Sequence, residues 1–170
     1  AHNYLLSSFL SPKFNTRSDR WAGSLENRAR FARQVVHAVR EAVGDRLAVT
    51  AKVSLDDGVP GGFRLPESAE FARMLEADGC LDALELTGGS SLANPMYLFR
   101  GDAPREDFAA TLPPLQRLGF KLVASKMMPA YPFEEAYFLD KARQVREAVD
   151  MPLILLGGIN TRATIDRAMA

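Results

Sequence analysis

The chain has 170 residues, 47% of them apolar and 25% charged, which is enough to bury one core of ordinary globular composition. Its 21 basic and 21 acidic residues cancel, so charge gives no preference for nucleic acid or an anionic membrane, and a small-molecule substrate fits better. The one cysteine, Cys80, has no internal disulfide partner and joins no Cys/His metal cluster, and no apolar run reaches the roughly 20 residues of a membrane helix. The expectation is a cytoplasmic protein with no membrane or nucleic-acid partner, for which a homo-oligomer is open.

The chain opens on Ala1-His2-Asn3-Tyr4-Leu5-Leu6. If this run ends a strand, the two-residue period aims His2 and Tyr4 at one face, where they could grip and protonate a substrate. Starting without Met in such a strand, the chain is expected to be a piece of a larger protein. Leu25 to Val43 carries an apolar stripe of Leu25, Ala29, Ala32, Val36, Val39 and Val43, with Ser24 as N-cap and Gly44 as stop, and is predicted as an amphipathic helix. Leu47 to Leu55 then alternates, setting Leu47, Val49, Ala51, Val53 and Leu55 against Ala48, Thr50, Lys52 and Ser54, the pattern of a strand with one apolar face. A Gly/Pro-rich loop leads to a helix over Pro66 to Ala77 and a strand over Leu81 to Thr87, which ends in Gly88-Gly89-Ser90-Ser91. Leu92 to Pro132 is interrupted by prolines and is predicted as a long loop with one short helix near Phe108 to Leu118. Phe133 to Val149 is predicted helical and Pro152 to Leu156 a compact strand; after Gly157-Gly158 a last helix starts near Thr161 and is still running at Ala170.

Alternating strands and helices with short connections predict a parallel α/β fold. A doubly wound sheet would bury both faces of its strands as near-continuous apolar runs. The Thr50, Lys52, Ser54 face contradicts that and favours a (β/α)8 TIM barrel, apolar toward the outer helices and polar inward. About three βα units plus the tail of another are present, roughly half of such a barrel, with open strand edges.

Three sets of residues could carry chemistry. Gly157 and Gly158, between a strand and a helix start, could cradle a phosphate on backbone N–H groups, though such a pair is as readily a tight turn. Lys52, mid-strand on the inward face, needs an anionic partner, and Asp56 and Asp57 are the obvious ones; the bland reading is a rim lysine reaching water or a carboxylate. His2 could polarise a carbonyl and Tyr4 could supply a proton, while on spacing alone either is more often structural. His37 lies off the apolar stripe of its helix and is read as a solvated surface residue. Arg17, Arg20, Arg28, Arg30, Arg33 and Arg40, interleaved with Asp19, Glu26 and Glu41, read as a solvated face with local ion pairs.

Together, His2 to Pro12, then Asn15, Arg17, Asp19 and Gly23-Ser24-Leu25-Glu26-Asn27-Arg28, strongly resemble the Old Yellow Enzyme family of NADH:flavin oxidoreductases, and the resemblance continues through Lys52 to Leu155-Leu156-Gly157-Gly158-Ile159. It implies a partial FMN-binding TIM-barrel domain over residues 1–170, running from the end of strand four into the helix after strand seven, without the N-terminal strands and strand eight. It further implies FMN as cofactor, NADH or NADPH as hydride donor, and reduction of the activated C=C bond of α,β-unsaturated carbonyl compounds. By the same resemblance Tyr4 is the tyrosine that protonates substrate carbon, and His2 is the second member of a carbonyl-binding pair whose first member would lie three residues earlier. Lys52 stands where many members carry an arginine beside flavin N1 and O2, and Gly157 and Gly158 correspond to glycines that bind the FMN phosphate. Two alternatives stay open: a non-catalytic fragment, inactive in isolation, and a flavin-free phosphate-binding barrel enzyme with Lys52 as a Schiff-base lysine.

Overall fold

The computed structural model describes residues 4–170. Three strands, β1 (Thr50–Ser54), β2 (Ala83–Thr87) and β3 (Leu153–Leu155), form one parallel sheet in the order β1-β2-β3. Between and around them run α1 (Leu5–Leu10), α2 (Leu25–Val43), α3 (Leu65–Asp78), α4 (Pro95–Phe99), α5 (Arg105–Ala110), α6 (Pro114–Met127), α7 (Leu139–Arg146) and α8 (Arg162–Met169).

The two-residue strand period divides the sheet into two unlike faces. Ala51, Val53 and Leu55 from the β1 segment, Leu84 and Leu86 from β2, and Leu153 and Leu155 from β3 join one apolar cluster with Ala29 and Ala32 of α2, Phe71, Ala72 and Leu75 of α3, and Ala142 and Val145 of α7. On the other face the register sets Thr50 beside Ala83, Lys52 beside Glu85 and Ser54 beside Thr87, with Ile154 next to Glu85 on β3. Lys52 and Ile154 are exposed, so the middle of this face has no covering layer among the described residues.

The predicted helix over Leu25 to Val43 forms with those bounds, Ser24 Oγ accepting from the Asn27 N–H and Gly44 ending it at φ 59°. The strands are shorter than predicted, and α3 gains one residue at each end. Helix α1 was not foreseen; Tyr4 is its N-cap, in an extended conformation.

The largest correction concerns residues 92–132, which hold three helices rather than a loop with one. Pro95 opens α4 and Pro114 opens α6, because a proline in the first helical turn gives up an N–H that has no intrahelical acceptor anyway. Phe133 to Val149 is corrected in the other direction. Ala136 takes φ 53°, which breaks the helical path, and the helix begins only at Leu139.

The arginines also depart from a purely local pattern. Arg17 does pair locally with Asp19. Arg28, however, is buried and donates to the carbonyls of Leu10 and Gly23 and to Glu67 on α3. Arg33 grips Asp78 with two hydrogen bonds of 2.7 and 2.6 Å, and Arg40 reaches Asp82 at 2.6 Å. These arginines tie α2 to α3 and to the chain entering β2. The Arg33 guanidinium, by its hydrogen bonds, holds the Asp78 carboxyl below the usual carboxylate range against the opposing effect of burial. A carboxylate with a depressed folded value adds stability above its unfolded value, near about pH 3.9, and that stability is lost as pH falls through the folded value. Replacing Arg33 with Met is therefore expected to cost about 1 kcal/mol in urea unfolding at neutral pH, allowing for the solvent screening of a partly exposed pair. The deficit should shrink below about pH 4, and a constant deficit would count against the pair as its source.

Candidate functional site

Tyr4, at the head of α1, is strongly exposed, and its carbonyl accepts from Ser7 Oγ at 3.0 Å and the Ser8 N–H at 2.9 Å. At the other end of α1, buried Ser11 donates to buried Asp57 at 2.6 Å, which fastens the helix to the loop leaving β1. Leu6, Ser7, Leu10 and Ser11 of this segment line one groove with β1 from residue 51 to 54 and with Val36 and Phe71 of the apolar layer, to which Leu10 also belongs. The helix that Tyr4 begins is thus held beside the strand that carries Lys52. His2 lies outside the described residues.

The sequence points to Asp56 or Asp57 as the partner of Lys52, and in the structure it pairs with neither. Its Nζ sits 2.7 Å from Glu85 Oε1. The parallel register decides this, because it makes Lys52 and Glu85 direct neighbours on one face. The two aspartates are engaged elsewhere: Asp56 takes Lys141 Nζ at 3.0 Å, and Asp57 accepts from Ser11 and from the Phe63 N–H at 2.8 Å. Glu85 had a signal in the sequence, a carboxylate set between the two leucines Leu84 and Leu86 in the middle of a strand.

Gly157 and Gly158 follow β3 after one residue, Leu156, at φ 119° and 69°. A Cβ at Gly157 would come within 2.9 Å of both Tyr137 and Phe138, and one at Gly158 within 2.7 Å of the Tyr137 ring and 2.9 Å of the Glu134 carbonyl. Both conformation and space therefore require glycine. The Gly158 carbonyl accepts from the Ala136 N–H at 2.8 Å, while among the described residues neither the Gly157 nor the Gly158 N–H has an acceptor in the chain. Two donors further along are already used. Glu135 accepts from the Asn160 N–H at 3.2 Å, and Thr161 Oγ1 caps α8 by accepting from the Thr164 N–H at 3.2 Å. Hydrogen bonds from the Thr164 side chain and from Asn160 keep the Glu135 carboxyl below its ordinary range.

The rings behind the glycine turn belong to a cluster that sequence reasoning missed. Arg100 stacks over Tyr97, Tyr131, Tyr137 and Phe138, with its guanidinium carbon 5.0, 5.0, 4.8 and 5.9 Å from the ring centres. Tyr137 donates to the Leu98 carbonyl at 2.6 Å, and burial raises its hydroxyl pKa. Lys141 bonds Tyr97 as well as Asp56. These contacts clamp the segment between β2 and α7 onto the ends of the strands, where it backs the glycine turn. His37 is also more engaged than a solvated surface residue. Its ring is half exposed, but Nδ1 lies 3.3 Å from the sulfur of buried Cys80.

Residues 1–85 match the NADH:flavin oxidoreductase / NADH oxidase family. The chain belongs to that family. It is 55% identical over 168 residues to a 4,4'-dithiodibutanoate disulfide reductase of Rhodococcus erythropolis, a match that covers 99% of this chain and 42% of the relative. It is 28% identical over 165 residues to a multifunctional alkene reductase/demethylase of Caballeronia cordobensis, covering 96% of this chain and 20% of the relative. Among solved structures, a 2-naphthoyl-CoA reductase bound to 2-naphthoyl-CoA superposes with a TM-score of 0.70 at 25% identity, covering 99% of this chain and 21% of that one. The chain thus spans less than half the length of these relatives. The cofactors of the family are FMN and NADH or NADPH. None of the helices among the described residues is long and apolar enough to cross a membrane.

The residues present fit FMN in two respects. The open N–H groups of Gly157 and Gly158 suit a phosphate, and the Lys52 ammonium suits an electron-rich ring edge. Gly158→Ala places a methyl group at positive φ against the Tyr137 ring, and the expected cost is about 1–3 kcal/mol. Thermal unfolding of the variant should start correspondingly earlier, and an unchanged transition would mean that the turn relaxes freely.

Proposed function

We propose that the intact protein is an FMN-dependent, NAD(P)H-consuming oxidoreductase whose three strands here are strands five to seven of a (β/α)8 barrel. The half-bare sheet supports the barrel, since parallel sheets are almost always covered on both faces. Closing the sheet would turn Lys52 and Glu85 into an enclosed, polar interior. In this reading residues 1–170 form part of one FMN-binding domain, and the segment alone does not hold the cofactor. The observation that carries the proposal is the glycine turn after β3, with N–H groups lacking an acceptor among the described residues, in a chain of this flavin-dependent family.

Bound FMN supplies hydride transfer from the nicotinamide to the acceptor. The chain's own groups do the rest. The Gly157 and Gly158 N–H groups bind the phosphate, and backbone donors held at positive φ need no reorganisation to do so. Lys52 keeps a positive charge beside the ring edge where electron density rises. His2 hydrogen-bonds the substrate carbonyl and draws electrons from the adjoining C=C bond. Tyr4 gives its hydroxyl proton to the carbon next to the one that receives hydride. The acceptor in this reading is an α,β-unsaturated carbonyl compound, in keeping with the alkene reductase among the relatives.

A second acceptor class is favoured by the 55% identity to the 4,4'-dithiodibutanoate disulfide reductase. With a disulfide, hydride adds to one sulfur, the S–S bond breaks with its electron pair on the other, and Tyr4 protonates the departing thiolate. The same proton donor serves both reactions. Anaerobic NAD(P)H oxidation by the full-length enzyme, with 2-cyclohexenone in one series and 4,4'-dithiodibutanoate in another, separates them by which supports the larger kcat/KM. In either case Tyr4→Phe is expected to slow the acceptor half-reaction about a hundredfold or more while sparing reduction of the flavin by the nicotinamide. Unchanged acceptor turnover would remove Tyr4 from this role.

A further inference from the structure

Lys52 is an unusual choice for a fixed charge. Its ammonium is a point charge on a flexible four-carbon stem, without the planar fork by which a guanidinium fixes its own direction. Glu85 supplies what the stem lacks. The two are direct neighbours in the β1/β2 register, their charged atoms are 2.7 Å apart, and both stand on the uncovered face. On its other side Glu85 faces Ile154 of β3, so among the described residues Lys52 is the cation paired with it.

Adjacent strands lie about 4.8 Å apart, so the carboxylate draws the ammonium sideways over β2. The pair also has no net charge, so a group bound over this face feels a dipole rather than a full cation. The field of a dipole falls off faster, and small changes in its direction matter more.

Resting on the reading that Lys52 lies beside the flavin, we propose that Glu85 is a positioning residue: it fixes the direction of the Lys52 ammonium and sets how much of that charge the flavin experiences. Reduction places extra electron density on the ring. Lys52 alone would favour the reduced form strongly, and Glu85 moderates this, keeping the reduced flavin ready to pass hydride onward. The cost of removing Glu85 is then not a lost contact to substrate but a flavin that gives up its electrons less readily.

The test uses the full-length holoenzyme and reads the midpoint potential of bound FMN together with its dissociation constants in the oxidised and reduced forms. Glu85→Gln, which keeps shape and removes charge, is expected to move the potential in the positive direction and to favour reduced over oxidised FMN by roughly tenfold. Lys52→Met should move it in the negative direction. In the Lys52→Met background, adding Glu85→Gln should shift the potential less than it does alone, because only the direct field of the carboxylate remains and the part that acts by aiming the Lys52 ammonium is gone. A wild-type potential in Lys52→Met would overturn the placement of Lys52 itself. A shifted Lys52→Met combined with a wild-type Glu85→Gln would overturn the role of Glu85 alone, as would a full Glu85→Gln shift that persists without Lys52. Should Glu85→Gln fail to fold, Glu85→Asp shortens the reach by one methylene and is expected to give a smaller positive shift; no shift there would overturn the proposal.

Discussion

Along β1 and β2 successive side chains leave the backbone on opposite sides, and much else in the chain depends on this. One side takes Val53, Leu55, Leu84 and Leu86 into the layer shared with α2, α3 and α7, and hydrophobic burial there holds the sheet. The other side is then obliged to carry Lys52 and Glu85. A one-residue slip of β1 against β2 would turn Lys52 into the apolar layer and leave Glu85 without its partner, so the packing of one face fixes the register of the other.

Burial in that layer is not all that holds the helices. Helix α2 is held not only by its apolar stripe but by arginines that reach past it, Arg28 to Glu67 and Arg33 to Asp78 on α3, and Arg40 to Asp82 before β2. A long side chain can bury its stem along the helix surface while its guanidinium satisfies carbonyls and carboxylates on the next element. The basic first quarter is therefore a set of ties between elements, in which opposite charges from distant parts of the sequence meet.

At the C-terminal ends of the strands, the segment between β2 and α7 folds back as an aromatic wall around Arg100. Tyr137 and Phe138 fill the volume that side chains at residues 157 and 158 would occupy. The glycine turn is thus shaped from behind by bulky rings, while among the described residues its N–H groups have no acceptor. Rigid backing of this kind suits a backbone binding site, since a donor that must first move into place loses affinity to the cost of ordering it.

Much of this was readable in order along the chain. The stripe from Leu25 to Val43 fixed a helix to the residue, because its period, its Ser24 cap and its Gly44 stop agree. Alternation around Lys52 disclosed both the strand and its two-faced character, and His2, Tyr4, Lys52, Gly157 and Gly158 were picked out as candidates by residue type and by family resemblance. The prolines from Pro95 to Pro132 misled, since the residue that ends one helix can equally begin another, and only the surrounding contacts choose. The helix start at Leu139 hid for a related reason, as Ala136 adopts its positive φ with its N–H on the Gly158 carbonyl, a partner 22 positions away. Local sequence determined the α/β class, the amphipathic elements and the chemistry that each candidate side chain can offer. Tertiary structure alone decided which charges meet: Lys52 with Glu85, Asp56 with Lys141, Arg33 with Asp78. Pairing between elements follows from strand register and helix packing, which are set by the burial of the whole apolar layer and written at no single position.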